Sequence, residues 1–473
     1  MKKRTAVILS GGSGSRLWPV SRLSEPKQFQ VFSDGTSLLA QTVLRASAVD
    51  DIDEILIVCS AAHEGLAKSH SAGFTNKPIS YLLEPIARNT AAAITCAAIY
   101  LHNRHPESDV CMLVLPSDHH MPQTDAFKKA IHAAIDGAYA DYLVTFGIKP
   151  NKAETGFGYL EAGNALNLPL LHNVKNFVEK PQLERAEQML QIGGFSWNSG
   201  MFVMRAAKFL EEIERFEPKI SHACAASLSE STSRGAFTTL GAKPLQDCPS
   251  TSVDYAVFER SESVAMVSLD TQWSDLGSWS AVADLHSQAE QAQPIESAVI
   301  SYNAQQNYVK ANKTVAIVGV SNLVVIDTPD ALLISHREET QGVKQIVEEL
   351  AKQQSQLISS HVKVTRPWGS YESLDQGAEH QIKHIVVEPG GRLSLQSHKH
   401  RSEHWVVVQG AATITVGDTT AVYNVGEHVF IQCEQKHRLE NHTTAPVAIV
   451  EVQIGNYLGE DDIIRYDDIY GRA

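Results

Sequence analysis

The chain has 473 residues, of which 43% are hydrophobic and 20% are charged. This composition is typical of a globular protein, and the length predicts two or three domains. Forty Lys and Arg residues against 54 Asp and Glu residues give a net charge of −14, which argues against a protein that binds nucleic acid or an anionic membrane. The six cysteines form no CxxC pair, and no apolar run suits a signal peptide or a membrane span, so we expect a cytoplasmic protein.

The first 290 residues alternate apolar, β-rich runs with helical patterns. Strands that are apolar throughout predict a mainly parallel sheet covered on both faces, with ligands bound beyond the carboxyl ends of the strands. The predicted strands are Thr5–Leu9, Ile52–Cys59, Ile79–Leu83, Val110–Leu115 and Tyr142–Phe146, and the predicted helices are Asn89–Arg104 and Thr124–Tyr139.

A glycine-rich loop, GGSGSRL at residues 11–17, follows the first predicted strand. Glycine allows backbone N–H groups to approach a phosphate closely. The loop lacks the GK[ST] ending of a Walker A motif, and Leu17 stands where a dinucleotide fingerprint has its third glycine. Arg16 and Lys27 add cations suited to pyrophosphate oxygens. We therefore favour a phosphate-binding loop over the alternative, an ordinary tight turn.

Short β segments replace the helical pattern from about residue 293 and predict a small β-solenoid or a connector of stacked turns. These segments are Asn307–Lys310, Thr314–Val318, Asn322–Asp327 and Ala331–Ser335. Glu339–Ser359 is then predicted to be a linking helix, because Val343, Ile346, Val347 and Leu350 have helical spacing.

From residue 361 onward, short strands with glycine-containing turns predict a compact β-barrel or jelly roll. We therefore divide the chain into residues 1–290, 291–338, 339–360 and 361–473. The last segment contains three histidines, a glutamate and a glutamine within residues 396–404, and His437 follows. In a strand, Gln396, His398 and His400 would share one face. A barrel interior with His, Glu and His predicts a divalent-metal site, whereas a lone histidine would be read as a core or surface residue.

The sequence GGSGSRLWPVSR followed by EPKQF is similar to the signature of sugar-phosphate nucleotidyltransferases, specifically mannose-1-phosphate guanylyltransferases. Further matching motifs follow in order: EP (84–85), RNTA (88–91), LPSDH (115–119), GFGYLE (156–161), FVEKP (177–181), WNSGMF (197–202) and WSDLGSW (273–279). The whole chain resembles the long bacterial form that joins this transferase to a mannose-6-phosphate isomerase-like cupin. The resemblance implies an α/β fold: a Rossmann-like (GT-A-like) nucleotidyltransferase domain, a short β-solenoid connector and a C-terminal cupin β-barrel.

The resemblance also implies a reaction and its residues. GTP and mannose 1-phosphate would give GDP-mannose and pyrophosphate for cell-surface polysaccharide, a reaction that needs charge neutralisation and in-line positioning. The implied catalytic residues are Arg16, Lys27, Asp118, Lys180 and Asp275, with Mg²⁺ shared by Asp118 and Asp275. The implied nucleotide-binding residues are Gly11, Gly12, Gly14, Ser15, Glu84, Arg88 and Asn89. The implied sugar-binding residues are Gly158, Glu161, Glu179 and Asn198.

The residues alone leave plainer roles open. Asp118 and Asp275 could be helix caps or turn residues, and Asn89 could be an N-cap. Glu179 and Lys180 could form a surface ion pair.

For the barrel, the resemblance implies interconversion of mannose 6-phosphate and fructose 6-phosphate. Arg401 would bind phosphate or stabilise developing charge, and the implied ligands of Zn²⁺ or another divalent metal are Gln396, His398, Glu403 and His437. The family usually has Met and His where this chain has Ser397 and Lys399. It also usually has Pro-x-Gly before the second histidine of the site, where this chain has Gln432, Cys433 and Glu434. The alternatives are therefore a bifunctional enzyme, a transferase whose barrel only packs and regulates, and a non-catalytic sugar-nucleotide sensor. The sequence leaves the oligomeric state open, a homo-oligomer included.

Overall fold

The computed structural model describes residues 2–12, 14–32, 35–122, 124–289 and 299–467. The chain forms two compact units: unit 1 comprises residues 1–327 and 332–353, and unit 2 comprises residues 328–331 and 354–473. The predicted boundary between residues 290 and 291 lies outside the described residues. Within the described ranges, no helix is both long and apolar enough to cross a membrane.

Unit 1 is built on one sheet of eleven strands in the order β5-β11-β7-β6-β8-β4-β1-β2-β3-β10-β9. The strands are β1 (Lys2–Ser10), β2 (Glu54–Ser60), β3 (Ile79–Glu84), β4 (Asp109–Pro116), β5 (Leu143–Ile148), β6 (Tyr159–Ala165), β7 (Leu171–Val178), β8 (Phe195–Arg205), β9 (Thr232–Arg234), β10 (Phe237–Thr239) and β11 (Val264–Leu269). Strands β4, β1, β2 and β3 are parallel, but β6, β7 and β8 are antiparallel to their neighbours. The sheet is therefore mixed rather than mainly parallel. The exposed polar residues of β6 and β7 fit antiparallel strands, which can face water on one side.

The parallel part of this sheet is buried on both faces, and unit 1 contains nine α-helices before residue 290 within the described ranges. They are α1 (Leu38–Ser47), α2 (Glu64–Ser69), α3 (Asn89–Arg104), α4 (Asp125–Tyr139), α5 (Leu183–Ile192), α6 (Ala206–Phe216), α7 (Pro218–Ser229), α8 (Ala242–Gln246) and α9 (Trp279–Ala289). Alternate residues of β1 enter different cores: Ala6 and Ile8 pack into one cluster and Val7 into the other. This burial on both faces explains why the strand is apolar throughout.

The β-solenoid segment of unit 1 contains two small sheets, β12-β14 and β13-β15-β16. Their strands are β12 (Val299–Tyr302), β13 (Tyr308–Lys310), β14 (Val315–Val318), β15 (Leu323–Thr328) and β16 (Ala331–His336). The following α10 covers only Val343–Lys352, which is shorter than the predicted helix. Gln354 adopts a left-handed φ of 53°, and the Ser355 side chain caps a separate 3₁₀ turn, so the α-helix cannot continue. Helix α10 contacts the 3₁₀ helix Ser15–Leu17 that ends the glycine loop.

Unit 2 consists of two sheets, in the orders β17-β18-β19-β26-β21-β24 and β23-β22-β25-β20-β27. The strands are β17 (Lys363–Arg366), β18 (Gly369–Gln376), β19 (His380–Val387), β20 (Leu395–His398), β21 (Arg401–Gln409), β22 (Ala411–Val416), β23 (Thr419–Asn424), β24 (His428–Ile431), β25 (His437–Glu440), β26 (Val447–Gly455) and β27 (Ile463–Asp467). Alternate residues of β21 and β26 are buried. The inner faces carry Trp405, Val407 and Ile449 at the core and polar residues beyond it.

Candidate active sites

The glycine loop of unit 1 leaves β1 with Gly11 and Gly12 exposed and turns at Gly14 into the 3₁₀ helix Ser15–Leu17. Gly14 has a φ of 61°, and a Cβ atom there would collide with the Lys27 side chain. Glycine is therefore required at this position for both backbone conformation and space. Arg16 is exposed at the end of the loop.

Two buried hydrogen bonds connect this loop to more distant parts of the chain. The Gln28 side-chain amide donates to the carbonyl of Ser10 at 3.1 Å. The Trp279 indole N–H donates to the carbonyl of Trp18 at 2.8 Å. The loop is thus anchored on both sides although its own glycines are exposed.

Lys27 joins the two predicted metal-binding loops. Its Nζ lies 3.0 Å from Asp118 Oδ2 and also donates to the main-chain carbonyl of Asp275. Burial would raise the pKa of Asp118, but the charges of Lys27 and His119 outweigh it and lower that pKa. The Asp118 carboxylate is therefore ionised at neutral pH.

An isolated β-bridge connects the same two loops directly. His120 N donates to Ser274 O at 2.9 Å, and Ser274 N donates to His120 O at 3.0 Å. The buried Arg45 guanidinium stabilises the loop that contains Asp118, because it donates hydrogen bonds to the carbonyls of Met121 at 2.7 Å and His119 at 3.4 Å. These main-chain contacts hold Asp118 and Asp275 near each other.

The donor chemistry of this pair fits Mg²⁺. Asp275 Oδ1 accepts the N–H of Gly277 at 3.0 Å, so the residue forms the turn that we expected as one alternative. Its second carboxylate oxygen has no such role among the described contacts. Asp118 and Asp275 together offer carboxylate oxygens, the ligand type that Mg²⁺ prefers.

A second polar group forms around Gly158. Its carbonyl accepts the N–H of Asn198 at 2.8 Å, and a Cβ atom at Gly158 would collide with Glu179 Oε2. Glu179 Oε1 accepts a hydrogen bond from Lys180 Nζ at 2.6 Å. The Asn198 amide donates to Asp254 Oδ1 at 2.8 Å. The structure therefore brings together three of the four predicted sugar-binding residues with Lys180.

This group holds two acids and one lysine. Burial raises the pKa of Asp254, and burial together with the Asp254 charge raises the pKa of Glu179. Both carboxyl groups can exchange hydrogen bonds with hydroxyl groups, and Lys180 is half-exposed beside them. Such an arrangement suits a polyhydroxylated, anionic ligand.

Four aromatic rings connect the two polar groups of unit 1. The Phe157 ring lies edge-on to Trp197 at 5.2 Å and to Trp273 at 5.1 Å, and His119 lies edge-on to Trp273 at 5.3 Å. Phe157, Trp197 and His119 are each adjacent in the sequence to a predicted site residue, and Trp273 is two residues from Asp275, so this wall links the carboxylate pair to the Gly158 group.

Glu84 lies under the glycine loop. It is 5% exposed, and its Oε2 is 3.6 Å from the position that a Cβ atom of Gly11 would take. Burial raises the pKa of Glu84 to about 7. This carboxyl group therefore changes charge in the physiological range.

The other predicted binding residues of unit 1 already have partners within the chain. Arg88 Nε donates to the carbonyl of Leu245 at 2.6 Å. Asn89 is the first residue of α3 with a φ of 64°, and its Oδ1 accepts the N–H of the next residue at 2.8 Å. Glu161 accepts hydrogen bonds from Lys175 and Asn176, both at 2.5 Å, away from the Gly158 group.

The site of unit 2 is a buried cluster of His398, Glu403 and His437. The Nε2 atoms of the two histidines lie 3.1 Å and 3.4 Å from Glu403 oxygens. Burial would raise the pKa of Glu403, but the histidines and Arg401 lower it below its usual range. The cluster thus contains one carboxylate between two imidazoles.

The hydrogen bonds of this cluster fit a metal ion. His437 Nδ1 lies 2.8 Å from the carbonyl of Gln435, which places the proton on Nδ1 and leaves Nε2 as a lone-pair donor. Although each lies within 3.4 Å of a Glu403 oxygen, the buried Nε2 atoms of His398 and His437 make no hydrogen bond of good geometry with any described residue. Two imidazoles and a carboxylate in a buried barrel are a ligand set for Zn²⁺ or a similar divalent ion.

The remaining predicted residues surround this cluster unequally. Gln396 lies on β20 with His398, but its Oε1 accepts a hydrogen bond from Ser394 at 3.0 Å. Strand β20 ends at His398, so His400 and Lys399 are exposed rather than lined up with the ligands. Arg401 is buried, with Nε 3.2 Å from Glu403 and Nη1 3.1 Å from the carbonyl of Gly459.

Comparison with known proteins identifies the family. The nucleotidyl transferase family model matches residues 5–292, the mannose-6-phosphate isomerase C-terminal model matches residues 352–468, and a β-helix model of the mannose-phosphate isomerase/GMP-like type matches residues 297–350. The chain belongs to the nucleotidyl transferase family. It also carries the isomerase-type C-terminal domain, so the predicted family and fold class are confirmed.

Relatives match over the full length. The alginate biosynthesis protein AlgA of Pseudomonas aeruginosa is 40% identical over 99% of this chain and 97% of its own. The mannose-1-phosphate guanylyltransferase of Escherichia coli K12 is 39% identical over 99% of this chain and 98% of its own. A Thermus thermophilus crystal structure, described as a mannose-1-phosphate geranyltransferase, covers 74% of this chain and 99% of its own with 28% identity and a TM-score of 0.63.

Sequence reasoning missed three features of these nucleotidyl transferase sites: Asp254, Arg45 and the aromatic wall. Asp254 was detectable as a lone acid in the otherwise apolar run from Val253 to Phe258. Arg45 was harder to detect, because its only distinguishing feature in the sequence is a positive charge on the otherwise apolar helix α1. The aromatic contacts join residues that are far apart in the sequence, so no local pattern predicts them.

Proposed function

We propose that unit 1 transfers the guanylyl group of GTP to mannose 1-phosphate, with release of pyrophosphate. The observation that carries this proposal is the position of Lys27, between the Asp118 carboxylate and the main chain of Asp275, next to Gly14 of the exposed loop. A glycine loop, a lysine that contacts both the Asp118 carboxylate and the main chain of Asp275, and the carboxylates of these two residues form the set of groups that a triphosphate–metal complex requires.

In this reaction, an oxygen of the sugar 1-phosphate bonds to the α-phosphorus of GTP while the bond to the leaving pyrophosphate breaks. Asp118 and Asp275 would hold Mg²⁺, which neutralises phosphate charge when bound. Arg16 and Lys27 would bind the pyrophosphate oxygens, and the backbone N–H groups would come from Gly11, Gly12, Gly14 and Ser15.

The two substrates would lie on either side of the aromatic wall. Lys180 would contact the phosphate of mannose 1-phosphate, and Gly158, Glu179 and Asn198 would contact its hydroxyl groups. Glu161 would reach the sugar only by exchanging its present partners. On the nucleotide side, Glu84, Arg88 and Asn89 stay proposed contacts, and the choice of GTP rests on similarity to named guanylyltransferases.

A coupled assay for pyrophosphate release tests this proposal. Each of GTP, ATP, UTP and CTP would be offered with mannose 1-phosphate or glucose 1-phosphate, in Mg²⁺. We expect turnover with GTP and mannose 1-phosphate that is at least about tenfold above every other pair. Preference for another pair would revise the substrate assignment. Binding without turnover would favour the sensor hypothesis.

We further propose that unit 2 interconverts mannose 6-phosphate and fructose 6-phosphate. The buried Nε2 atoms of His398 and His437, which converge on Glu403 without a hydrogen bond of good geometry, favour this second activity over a barrel that only packs. His398, Glu403 and His437 would hold the metal with Gln396, which would first have to release Ser394, and Arg401 would stabilise charge that develops on the substrate. A bound divalent metal would supply polarisation of the substrate oxygens.

The isomerase proposal predicts formation of fructose 6-phosphate from mannose 6-phosphate without added nucleotide. A chelator should abolish it, and a divalent metal should restore it. Failure of all divalent metals to give turnover would leave the barrel a packing or regulatory module. The four-segment division, the cytoplasmic location and the supply of a cell-surface polysaccharide stay proposals; the six unpaired cysteines fit a reducing compartment.

A further inference from the structure

A cavity of about 610 Å³ opens in unit 2 between strands β17 to β19 and residues 456–460. This volume lies within the range of small-molecule sites. Its wall is polar: Tyr371, Gln381 and Tyr457 line it, and Asp330 and Asp375 contribute two carboxylates. Lys383 and Glu460 face each other within the same wall. Among the described lining residues, Lys383 is the only lysine or arginine, and the Asp375 carboxylate is already 3.1 Å from His380 Nε2.

Lys383 is an unusual residue for the inner face of a barrel. It alternates on β19 with the buried Ile385 and Val387 and is only 5% exposed. A buried ammonium group is costly unless it has charged partners. Its Nζ lies 2.6 Å from Glu460 Oε1 and 5.1 Å from the centre of the Tyr371 ring. Burial would lower the pKa of Lys383, but Glu451 and Glu460 outweigh it and raise that pKa, so the cation persists.

Glu460 is a partner that an incoming anion can replace. Its side chain is 54% exposed, whereas that of Lys383 is 7% exposed. It begins a one-turn 3₁₀ helix, Glu460–Asp462, after the residues that border the cavity. The carboxylate can therefore turn into water at little cost, while the lysine has no comparable freedom.

Lys383 lies on the same inner face as the metal-ligand cluster. It is paired across β19 and β26 with Glu451, which is paired in turn with Trp405 on β21, two residues from Glu403. Two strand spacings separate β19 from β21, about 9–10 Å. A hexose 6-phosphate carries its phosphate at the opposite end of a six-carbon chain from C1 and C2, so it can extend over such a gap.

We propose that Lys383 binds the phosphate group of a hexose 6-phosphate in this cavity. Without substrate, the Glu460 carboxylate forms an ion pair with Lys383, and the incoming phosphate displaces it. The proposal rests on the isomerase proposed for unit 2, because it places C1 and C2 toward the His398–Glu403–His437 cluster. It assigns opposite roles to the two members of one ion pair: Lys383 attracts the substrate, and Glu460 competes with it.

The test compares three variants of the full-length chain: Lys383→Met, Glu460→Gln and the control Lys363→Met. Lys363 is exposed on the neighbouring strand β17. Isothermal titration would measure binding of mannose 6-phosphate and, separately, inorganic phosphate, with GDP-mannose present to fill unit 1. We expect Lys383→Met to weaken binding of mannose 6-phosphate about 10- to 100-fold and Glu460→Gln to tighten it. Lys363→Met should bind like the parent protein.

Two outcomes would overturn the proposal. One is unchanged binding of mannose 6-phosphate in Lys383→Met. The other is weaker binding in Glu460→Gln, which would show that the ion pair only supports the fold of the cavity. Glu460→Gln decides the matter even if Lys383→Met fails to fold. Tight binding of inorganic phosphate that mannose 6-phosphate cannot displace would reduce the site to a free-phosphate site and also contradict the proposal. Binding that behaves as expected without conversion to fructose 6-phosphate would disprove the isomerase and leave this anion site intact.

Discussion

The two sites differ in how their charges are arranged before any ligand binds. In unit 1, Lys27 pairs with a 35% exposed Asp118, and Lys180, 51% exposed, pairs with Glu179. In unit 2, the side chains of His398, Glu403 and His437 are at most 2% exposed, and three of the four ring nitrogens make no hydrogen bond of good geometry with any described residue. The first site can exchange its internal partners for charged substrates from water. The second requires a cation, because its lone pairs are already desolvated.

This difference explains where each site can tolerate change. Altering the exposed member of a unit 1 pair removes catalytic charge, and it leaves a partner, Lys27 or Glu179, that is only 6% exposed. A closed ligand cluster loses its metal when one ligand is removed.

The largest effect is expected for His398→Ala. Loss of one imidazole from a buried three-residue cluster should abolish stoichiometric metal and isomerase turnover, because the remaining ligands no longer surround the ion. Metal analysis of the purified chain and both activity assays measure this. His404→Ala, on the outer face of β21, is the control. Retained metal in His398→Ala, or a parallel loss of the transferase, would contradict the separation of the two sites.

Asp118→Asn should lower kcat of the transferase by about 100-fold or more, because it removes a charge from the metal-binding pair and from Lys27. Metal content and isomerase turnover should not change. Asp125→Asn, an exposed substitution in the first turn of α4, controls for the general loss of one carboxylate. A fall of less than threefold would remove Asp118 from the catalytic group.

Gly14→Ala should destabilise unit 1 by about 1–3 kcal/mol, since it combines an unfavourable positive φ with a collision against Lys27. Gly12→Ala is the matched variant, because a Cβ atom there meets nothing within 4 Å. Thermal unfolding followed by calorimetry compares them. Equal Tm values would show that the turn at Gly14 is not held against Lys27.

The smallest effect concerns Glu84. A carboxyl group whose pKa is higher in the folded than in the unfolded chain favours folding while protonated, and this advantage is lost as pH rises from about 4.5 to 7. Glu84→Gln should therefore match the parent protein near pH 4.5 and become more stable above pH 7, by at most about 3 kcal/mol. Tm measured from pH 5 to 8 should diverge in that direction. A constant difference would place the carboxyl in water.

The sequence predicted the individual strands and helices better than the way in which they pair and pack. The parallel strands and α3 follow from apolar runs and helical spacing, and the glycine loop follows from its composition. The antiparallel insertion of β6 to β8 was not predicted, because strand direction depends on pairing between distant segments. The end of α10 was missed because a single left-handed residue, Gln354, decides it.

The same limit applies to the sites. Motif similarity located Lys27, Asp118 and Glu403, but it did not reveal that a main-chain bridge at His120 and Ser274 joins two loops. Nor did it distinguish Glu161, which has partners elsewhere, from Glu179, which lies in the Gly158 group. Such distinctions depend on three-dimensional contacts, whether across neighbouring strands, as for Glu161 and Asn176, or between distant loops, as for Lys27 and Asp275, and local sequence patterns carry no information about them.

The most direct test of the account is a crystal structure of the full chain with GTP and Mg²⁺. We expect the triphosphate over residues 11–16, the metal on Asp118 and Asp275, and the Lys27 ammonium turned from Asp118 toward a phosphate oxygen. A triphosphate bound elsewhere, or a metal that touches neither carboxylate, would contradict it.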